Sequence, residues 1–393
     1  MKILISSIGT GQKRDGGYKK AKYEYNGKII ETPFIARALS EFINVDKLFL
    51  VGTKKSIWDS VYLEFGGDED ISLKIYEEIE DGGISGNSLK LVEKVLNKGS
   101  KCFIIDYGID ENELWNNFSK FLEMLEYIDE GDEVYIDITH SFRSLSLMSF
   151  VMVNFGEIIK KKNFKISGVF YGMFEYSFEN NGITPIIDLK MFYELMEWMR
   201  AVENFIEYSN ADKIVYLLEN KDEKNLFNRI SISLEMANLY VLYENVKNIS
   251  KKLDKLKQNH NPILNLLWPE VISFIKSLNK DKLSDFQLAV AKWFAEHKNY
   301  ALGYMALSEA VVSKVCEIKK YKIDDKSSRD RAKKEISSID KSLYFDVYKS
   351  VNQIRNDIAH QLGKRKNSIL IDAQNLNNYI LKTEKIFERL KCK

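Results

Sequence analysis

Val134–Arg143 reads Val-Tyr-Ile-Asp-Ile-Thr-His-Ser-Phe-Arg, a short apolar run that passes directly into a compact set of hydrogen-bonding side chains. Such a run bounded by polar residues is the pattern of a strand buried on both faces. Thr139, His140 and Ser141 then fall just past its carboxyl end. In an open α/β sheet that edge binds ligands, because loops there present side chains and the next helix turns its first amides toward the same crevice. The following run, Leu145–Val153, is apolar on nearly all sides and predicts a buried helix whose first turn holds Ser141, Phe142 and Arg143. Together these features suit an anion such as phosphate. Thr139 and Ser141 equally suit plain helix caps, and the stretch alone leaves both readings open.

Working outward, the first half of the 393-residue chain alternates short apolar runs with amphipathic segments, the pattern of a parallel sheet with helices on its faces. Strands are expected at 2–8, 47–51, 102–106, 134–138 and 166–171, with 184–189 as an addition. Helices are expected at 33–43, 89–96, 114–128 and 145–159. Each strand runs into a small or polar loop: Gly9-Thr10-Gly11 after Ser7-Ile8, then Gly52-Thr53, Tyr107-Gly108, Thr139-His140-Ser141 and Gly172. Five loops on one edge predict a ligand-binding rim. The first loop places Arg14 where the third glycine of a dinucleotide fingerprint belongs and runs on through Gly16-Gly17 instead of opening a helix, which argues against a dinucleotide cofactor. Lys13, Arg14, Lys19 and Lys20 in that loop suit a larger anionic ligand, and they suit an ordinary surface hairpin as well.

Composition limits the compartment more than the partner. With 58 basic and 57 acidic residues, net charge excludes no partner, so local clustering must carry any argument about nucleic acid. Cys102, Cys316 and Cys392 are odd in number and widely spaced, which fits a reducing cytoplasm and neither a disulfide framework nor a zinc pattern. No window approaches the ~18 apolar residues of a membrane span, so a soluble chain without a membrane partner is expected.

From about Asp188 helical periodicity takes over, beginning with an amphipathic connector at 189–206. Further helices are expected through 278, interrupted by a polar stretch at 251–261 in which His260 is a loop residue, with Trp268 and Trp293 in the core. Two later helices carry the candidate chemistry. One, at 288–314, holds His297 and Glu309. The other, at 345–360, has an apolar stripe of Val347, Val351, Ile354 and Ile358 that leaves Asn356 and His360 one turn apart on the polar face, with Arg355 at the boundary. A connector at 319–334, rich in Lys and Arg, and Lys364-Arg365-Lys366 put basic residues close by in sequence, as a phosphodiester substrate would need. A solvated helix face and an ordinary exposed loop would look the same.

The first and last thirds together resemble one family, the CARF–HEPN ribonucleases that accompany type III CRISPR systems. The segment Asp137–Arg143 resembles the strand-and-loop motif of the CARF domain, as do Ser7–Gly11, Tyr25-Asn26-Gly27 through Glu31-Thr32-Pro33-Phe34, and Gly52-Thr53 with Ser56 and Trp58. Arg355–His360 is similar to the HEPN pattern of arginine, a spacer of about four to six residues and then histidine, with a polar residue, here Asn356, following the arginine. The resemblance implies an N-terminal α/β Rossmann-like CARF domain with a parallel sheet over 1–186, an all-α linker over 187–280 and an all-α HEPN ribonuclease domain over 281–393.

It further implies a homodimer or higher homo-oligomer in the cytoplasm that binds cyclic oligoadenylate, with cyclic tetra-adenylate preferred, and then cuts single-stranded RNA. The implied ligand-binding residues are Ser7, Gly9, Thr10, Gly11, Thr53, Thr139, His140, Ser141, Phe142, Arg143 and Gly172; the implied catalytic ones are Arg355, Asn356 and His360. No cofactor is expected. No metal ligand is expected either, since no Asp, Glu or His cluster with ligand spacing lies near Arg355–His360. Two other readings share this fold. One is a non-catalytic sensor whose helical half binds nucleic acid or a partner protein. The other adds slow cleavage of the cyclic ligand by the sheet domain itself, with Thr10, Thr139 and His140 as candidates.

Overall fold

The computed structural model describes residues 1–11, 13–14, 17–140, 143–158, 163–251, 262–360 and 368–391. Ser141 and Phe142, His260, Lys364–Lys366 and Cys392, on all of which the sequence reading placed expectations, lie outside them. The chain divides into two compact units, Met1–Tyr193 and Glu194–Lys393.

The first unit is built on an eight-stranded, mostly parallel sheet. Its strands in chain order are β1 (Lys2–Ile8), β4 (Ala21–Tyr25), β5 (Lys28–Thr32), β6 (Lys47–Gly52), β7 (Lys101–Ile104), β8 (Glu133–Asp137), β9 (Lys165–Gly172) and β10 (Ile183–Asp188); the two-residue strands β2 (Lys13–Arg14) and β3 (Gly17–Tyr18) form a separate ribbon. Across the sheet the order is β5-β4-β10-β9-β8-β1-β6-β7. Strands β9, β8, β1, β6 and β7 run parallel, as the alternating pattern implies. The departure lies at one edge, where β10 is antiparallel to β9 and the hairpin β4–β5 adds two more strands. The Tyr25-Asn26-Gly27 turn of that hairpin holds Asn26 and Gly27 at positive φ, which Asn and Gly adopt most readily.

Side-chain alternation explains why the centre is buried on both faces. Along β1 and β6, Leu4, Ile8, Leu48 and Leu50 enter one core, and Ile3, Ile5, Phe49 and Val51 enter the other. The first core is covered by α1 (Ile35–Ile43), α2 (Trp58–Glu64), α3 (Glu69–Asp81) and α4 (Gly86–Val95), and the second by α5 (Glu111–Leu125) and α6 (Arg143–Ile158). Helices α2 and α3 escaped the sequence reading, and Pro33 lies before α1 rather than in its first turn. Helix α6 corrects a further expectation. It is not buried all round: Met152 and Val153 are in the core, whereas Leu147, Val151 and Ile158 are 69%, 49% and 53% exposed. One face packs under the sheet, with Phe155 edge-on to Phe118, and the other stays open.

The second unit is helical. Helix α7 (Lys190–Tyr208) is followed by α8 (Asp212–Leu217), α9 (Lys221–Glu235), α10 (Leu239–Ser250), α11 (Pro262–Leu278), α12 (Leu283–Glu296), α13 (Tyr300–Lys319), α14 (Lys326–Ile339), α15 (Lys349–Ala359) and α16 (Ile369–Lys391). One continuous core runs from Trp198 to Phe387 and includes Trp268 and Trp293, as expected. The single helix expected over 288–314 is instead two, α12 and α13. The chain turns between them at Lys298, which takes positive φ, so that both helices bury apolar faces. The expected basic connector is also largely helix α14. Its Arg329 is spent on Glu309, Ser313 and the Ile323 carbonyl, while Arg331 pairs with Glu335.

Candidate functional site

The first unit carries its polar groups where β1 lies between β8 and β6. The chain runs from β1 outward through β6 and β7 and then returns to β8 on the other side, so the strand order reverses here and leaves a crevice beyond the carboxyl ends. Asp137, at the end of β8, is fully enclosed. It accepts hydrogen bonds from Ser6 Oγ across the β1–β8 pair at 2.5 Å and from the Thr139 amide at 2.9 Å. Burial raises its pKa, while the adjacent His140 pulls the other way. Burial also lowers the pKa of His140 against the opposing pull of Asp137, and its Nε2 lies 3.1 Å from the Tyr23 hydroxyl. The Thr139 Oγ1 accepts from the Gly172 amide at 2.8 Å, tying the loop after β8 to the end of β9.

Two hollows open on either side of this ridge. The first, about 320 Å³, is lined by Ser7, Gly9, Thr10, Thr53, Thr139 and His140, with Ser56 added. Ser56 organises its floor, donating to the Ile8 carbonyl at 2.7 Å and accepting from the Thr53 amide at 3.0 Å, and Trp58 Nε1 closes on the Thr53 carbonyl at 2.8 Å. Gly52 is required by this closeness. A Cβ there would stand 2.7 Å from the Trp58 ring and 2.8 Å from Ser56 Oγ. The second hollow, about 340 Å³, is lined by Thr10, Gly11, Thr139, His140 and Gly172, together with Lys19, Tyr23, Tyr171, Phe174 and Glu175. Gly11 takes φ +70° with the Tyr18 ring against it, and Tyr18 is itself pinned by its hydroxyl to Asp59 Oδ1 at 3.0 Å.

Of the expected ligand-binding residues, Ser7, Gly9, Thr10, Gly11, Thr53, Thr139, His140 and Gly172 thus line one hollow or both, and Arg143 begins α6. Sequence reasoning missed Ser6, Tyr23, Tyr171, Phe174 and Glu175. Phe174 carried a signal, an aromatic residue two positions after the glycine that ends β9, whereas Tyr23 sits in the middle of a hairpin strand that the sequence reading left unassigned.

Residues 3–175 match the family model described as the CARF domain of the CRISPR system endoribonuclease Csx1, and residues 194–285 match the one described as the second domain of the CRISPR-associated protein MJ1674. Residues 3–175 are thus a CARF domain of the kind found in CRISPR-associated proteins. The chain is 34% identical to MJ1674 of Methanocaldococcus jannaschii over 399 residues, an alignment covering 92% of this CARF chain. It spans 62% of that relative's length. Among solved structures it is similar to Csm6 of Enterococcus italicus bound to cyclic hexa-2'-fluoro-hexa-dAMP, with a TM-score of 0.45, 11% identity, and coverage of 98% of this chain and 93% of that one.

The second group of expected residues sits in the helical unit of the CARF protein. In α15, Val351 and Ile354 are buried, as is Val347 just before it, but Ile358 is 40% exposed, so the expected apolar stripe faces the core only over its first three members. Arg355 and Asn356 are half-buried, and Arg355 Nη1 donates to Asn356 Oδ1 at 2.9 Å. His360 is exposed at the helix end, its amide donating to the Asn356 carbonyl at 2.9 Å. Beside them Tyr348 is buried, and its hydroxyl is pushed up to about 12 by burial and then by Glu309, against the pull of Arg355.

Proposed function

We propose that this CARF protein is a cyclic-oligoadenylate-activated, metal-independent endoribonuclease for single-stranded RNA in type III CRISPR antiviral defence, with a CARF domain at 1–186, a helical linker at 187–280 and a HEPN domain at 281–393. The observation that carries this reading is the contrast in readiness between two sets of residues. The rim residues are already hydrogen-bonded into a cradle, while Arg355 and His360 stand outward as one arginine and one histidine per chain. A two-fold dimer brings two of each into one cleft and places two rims against a symmetric ring. The open apolar strip of Leu147, Val151 and Ile158 on α6 supports such pairing.

In the RNA site His360 serves as general base or acid when the 2′-hydroxyl attacks the adjacent phosphorus and leaves a 2′,3′-cyclic phosphate, a role typically worth ~10²–10⁴-fold. Arg355 stabilises the charge that grows on the phosphoryl oxygens, and Asn356 orients Arg355 through the hydrogen bond between them. Cyclic tetra-adenylate is the preferred activator and the cytoplasm the place of action. Switching from 1:99 to 99:1 active requires the ring to favour the active state by ~5.5 kcal/mol.

The test is cleavage of a labelled single-stranded RNA in EDTA by the parent and by His360→Ala, each without ring, with cyclic tetra-adenylate and with cyclic hexa-adenylate. Ring-dependent cleavage lost in the variant supports the reading. Ring binding without any cleavage would turn it into a sensor whose helical half binds nucleic acid or a protein. The second reading, slow cleavage of the ring by the CARF domain, draws on His140, which burial keeps neutral, beside the Tyr23 hydroxyl on the ridge. It predicts ring linearisation that survives His360→Ala, and a ring left intact after long incubation would end it.

A further inference from the structure

The two hollows share Thr10, Thr139 and His140 but differ in chemistry. The first offers backbone amides and the hydroxyls of Ser7 and Thr53, and no carboxylate is among its lining residues. That set of neutral donors suits a phosphate oxygen. The second has aromatic walls, Tyr23, Tyr171 and Phe174, with Lys19 Nζ 4.5 Å above the Phe174 ring. It also holds a carboxylate, Glu175, whose Oε2 accepts from the Tyr171 hydroxyl at 3.4 Å. An ionised carboxylate only accepts hydrogen bonds and repels a phosphate. Aromatic faces, for their part, take a base by stacking whatever its sequence identity. The second hollow therefore calls for a flat ring that carries N–H donors.

Resting on the reading of the rim as a cyclic-nucleotide site, we infer that the Thr10–Thr139–His140 ridge divides each bound nucleotide. Its phosphate lies in the first hollow and its base in the second, where Glu175, oriented by Tyr171, accepts a hydrogen bond from the exocyclic amine of adenine. Glu175 is thereby the specificity-determining residue, and Phe174 supplies a stacking surface whose outer side Lys19 covers. A base with a carbonyl at the amine position points lone pairs at the carboxylate and is rejected. Glu175 lies on an exposed turn, Glu175–Phe178, so the discrimination is that of one charged hydrogen bond, about 10- to 100-fold, rather than that of an enclosed site.

The experiment measures affinities of the full-length chain for cyclic oligoadenylate and cyclic oligoinosinate, in rings of four and six, for the parent, Glu175→Gln and Glu175→Ala. Inosinate differs at the position in question by a carbonyl in place of the amine. The parent is expected to prefer the adenylate ring by about 10- to 100-fold, and both variants are expected to lose most of that ratio. Glu175→Gln should gain affinity for inosinate, because its amide can donate to the carbonyl. A role limited to charge would strengthen both rings equally in the variants and leave the ratio intact, which overturns the assignment, as does a parent that binds both rings alike. Failure of the folded parent to bind any ring removes the proposed function itself, an outcome distinct from loss of base preference.

Discussion

The rim of the CARF unit and the Arg355–His360 face of the helical unit differ in how much of their geometry a single chain builds. At the rim several polar groups hold one another in place: Asp137 with Ser6 and Thr139, Thr139 with Gly172, Ser56 with Ile8 and Thr53. On α15 Arg355 donates to Asn356, its neighbour on the same helix, and His360 stands exposed at the helix end. A ligand that must be read accurately needs donors held before it arrives. A catalytic face completed by a second copy can remain unfinished until that copy is present. The difference suggests that the two sites answer differently to substitution: function lost without stability on α15, stability and function lost together at the rim.

The largest effect expected is on α15. His360→Ala should reduce RNA cleavage by ~10²–10⁴-fold while leaving ring affinity and the unfolding midpoint unchanged, read by cleavage rate, ring titration and thermal melting. A variant that melts earlier would mean that His360 is structural and that the contrast is false. Next comes Gly52→Val at the rim. Its new side chain meets the buried Trp58 ring and Ser56, and overpacking of this kind costs about 1–3 kcal/mol. Denaturant unfolding should show that loss together with weaker ring binding; intact stability with normal binding would mean that the cradle yields.

How far the sequence discloses each region follows from its local physics. Strand β1 was legible to the residue, because Lys2–Ile8 carries the apolar run Ile3-Leu4-Ile5 with Ile8 and stops at a turn signal. The parallel centre and the rim loops followed from the same alternation. The β4–β5 hairpin did not, since Ala21–Tyr25 and Lys28–Thr32 mix charged and apolar residues on a sheet edge where only one face is buried, and with it went Tyr23. The exposed side of α6 was illegible for a different reason: an all-apolar helix reads the same whether its second face meets this chain or another. On α15 the Arg355–His360 spacing could be read, but Ile358 could not be placed, because three buried stripe members do not oblige the fourth.

A smaller effect sharpens the claim that the rim is built in advance. Thr139→Val keeps the shape of the side chain but removes the acceptor of the Gly172 amide. An unpaired buried donor costs about 1–3 kcal/mol, and the Gly172 left without its acceptor is buried. Urea unfolding should register the loss, and an unchanged midpoint would mean that the bond does not hold the loop after β8 to β9.

The smallest effect is a pH dependence. Burial lowers the pKa of His140 in the folded chain, with Asp137 opposing. Near its ordinary value of about 6.5 the unfolded chain therefore binds this proton more readily than the folded one. Stability from neutral His140 is fully present above that value and is lost as pH falls through it toward the lower folded pKa. Asp137 has the opposite sign: its raised pKa means the folded chain holds its proton longer, so ionising it in place costs stability as pH rises. Melting temperatures of parent and His140→Gln measured between pH 5.5 and 8 should diverge on the acid side, the parent falling more steeply. Parallel curves would mean that His140 is as free to protonate as an exposed histidine, and the rim would then be as unfinished as α15.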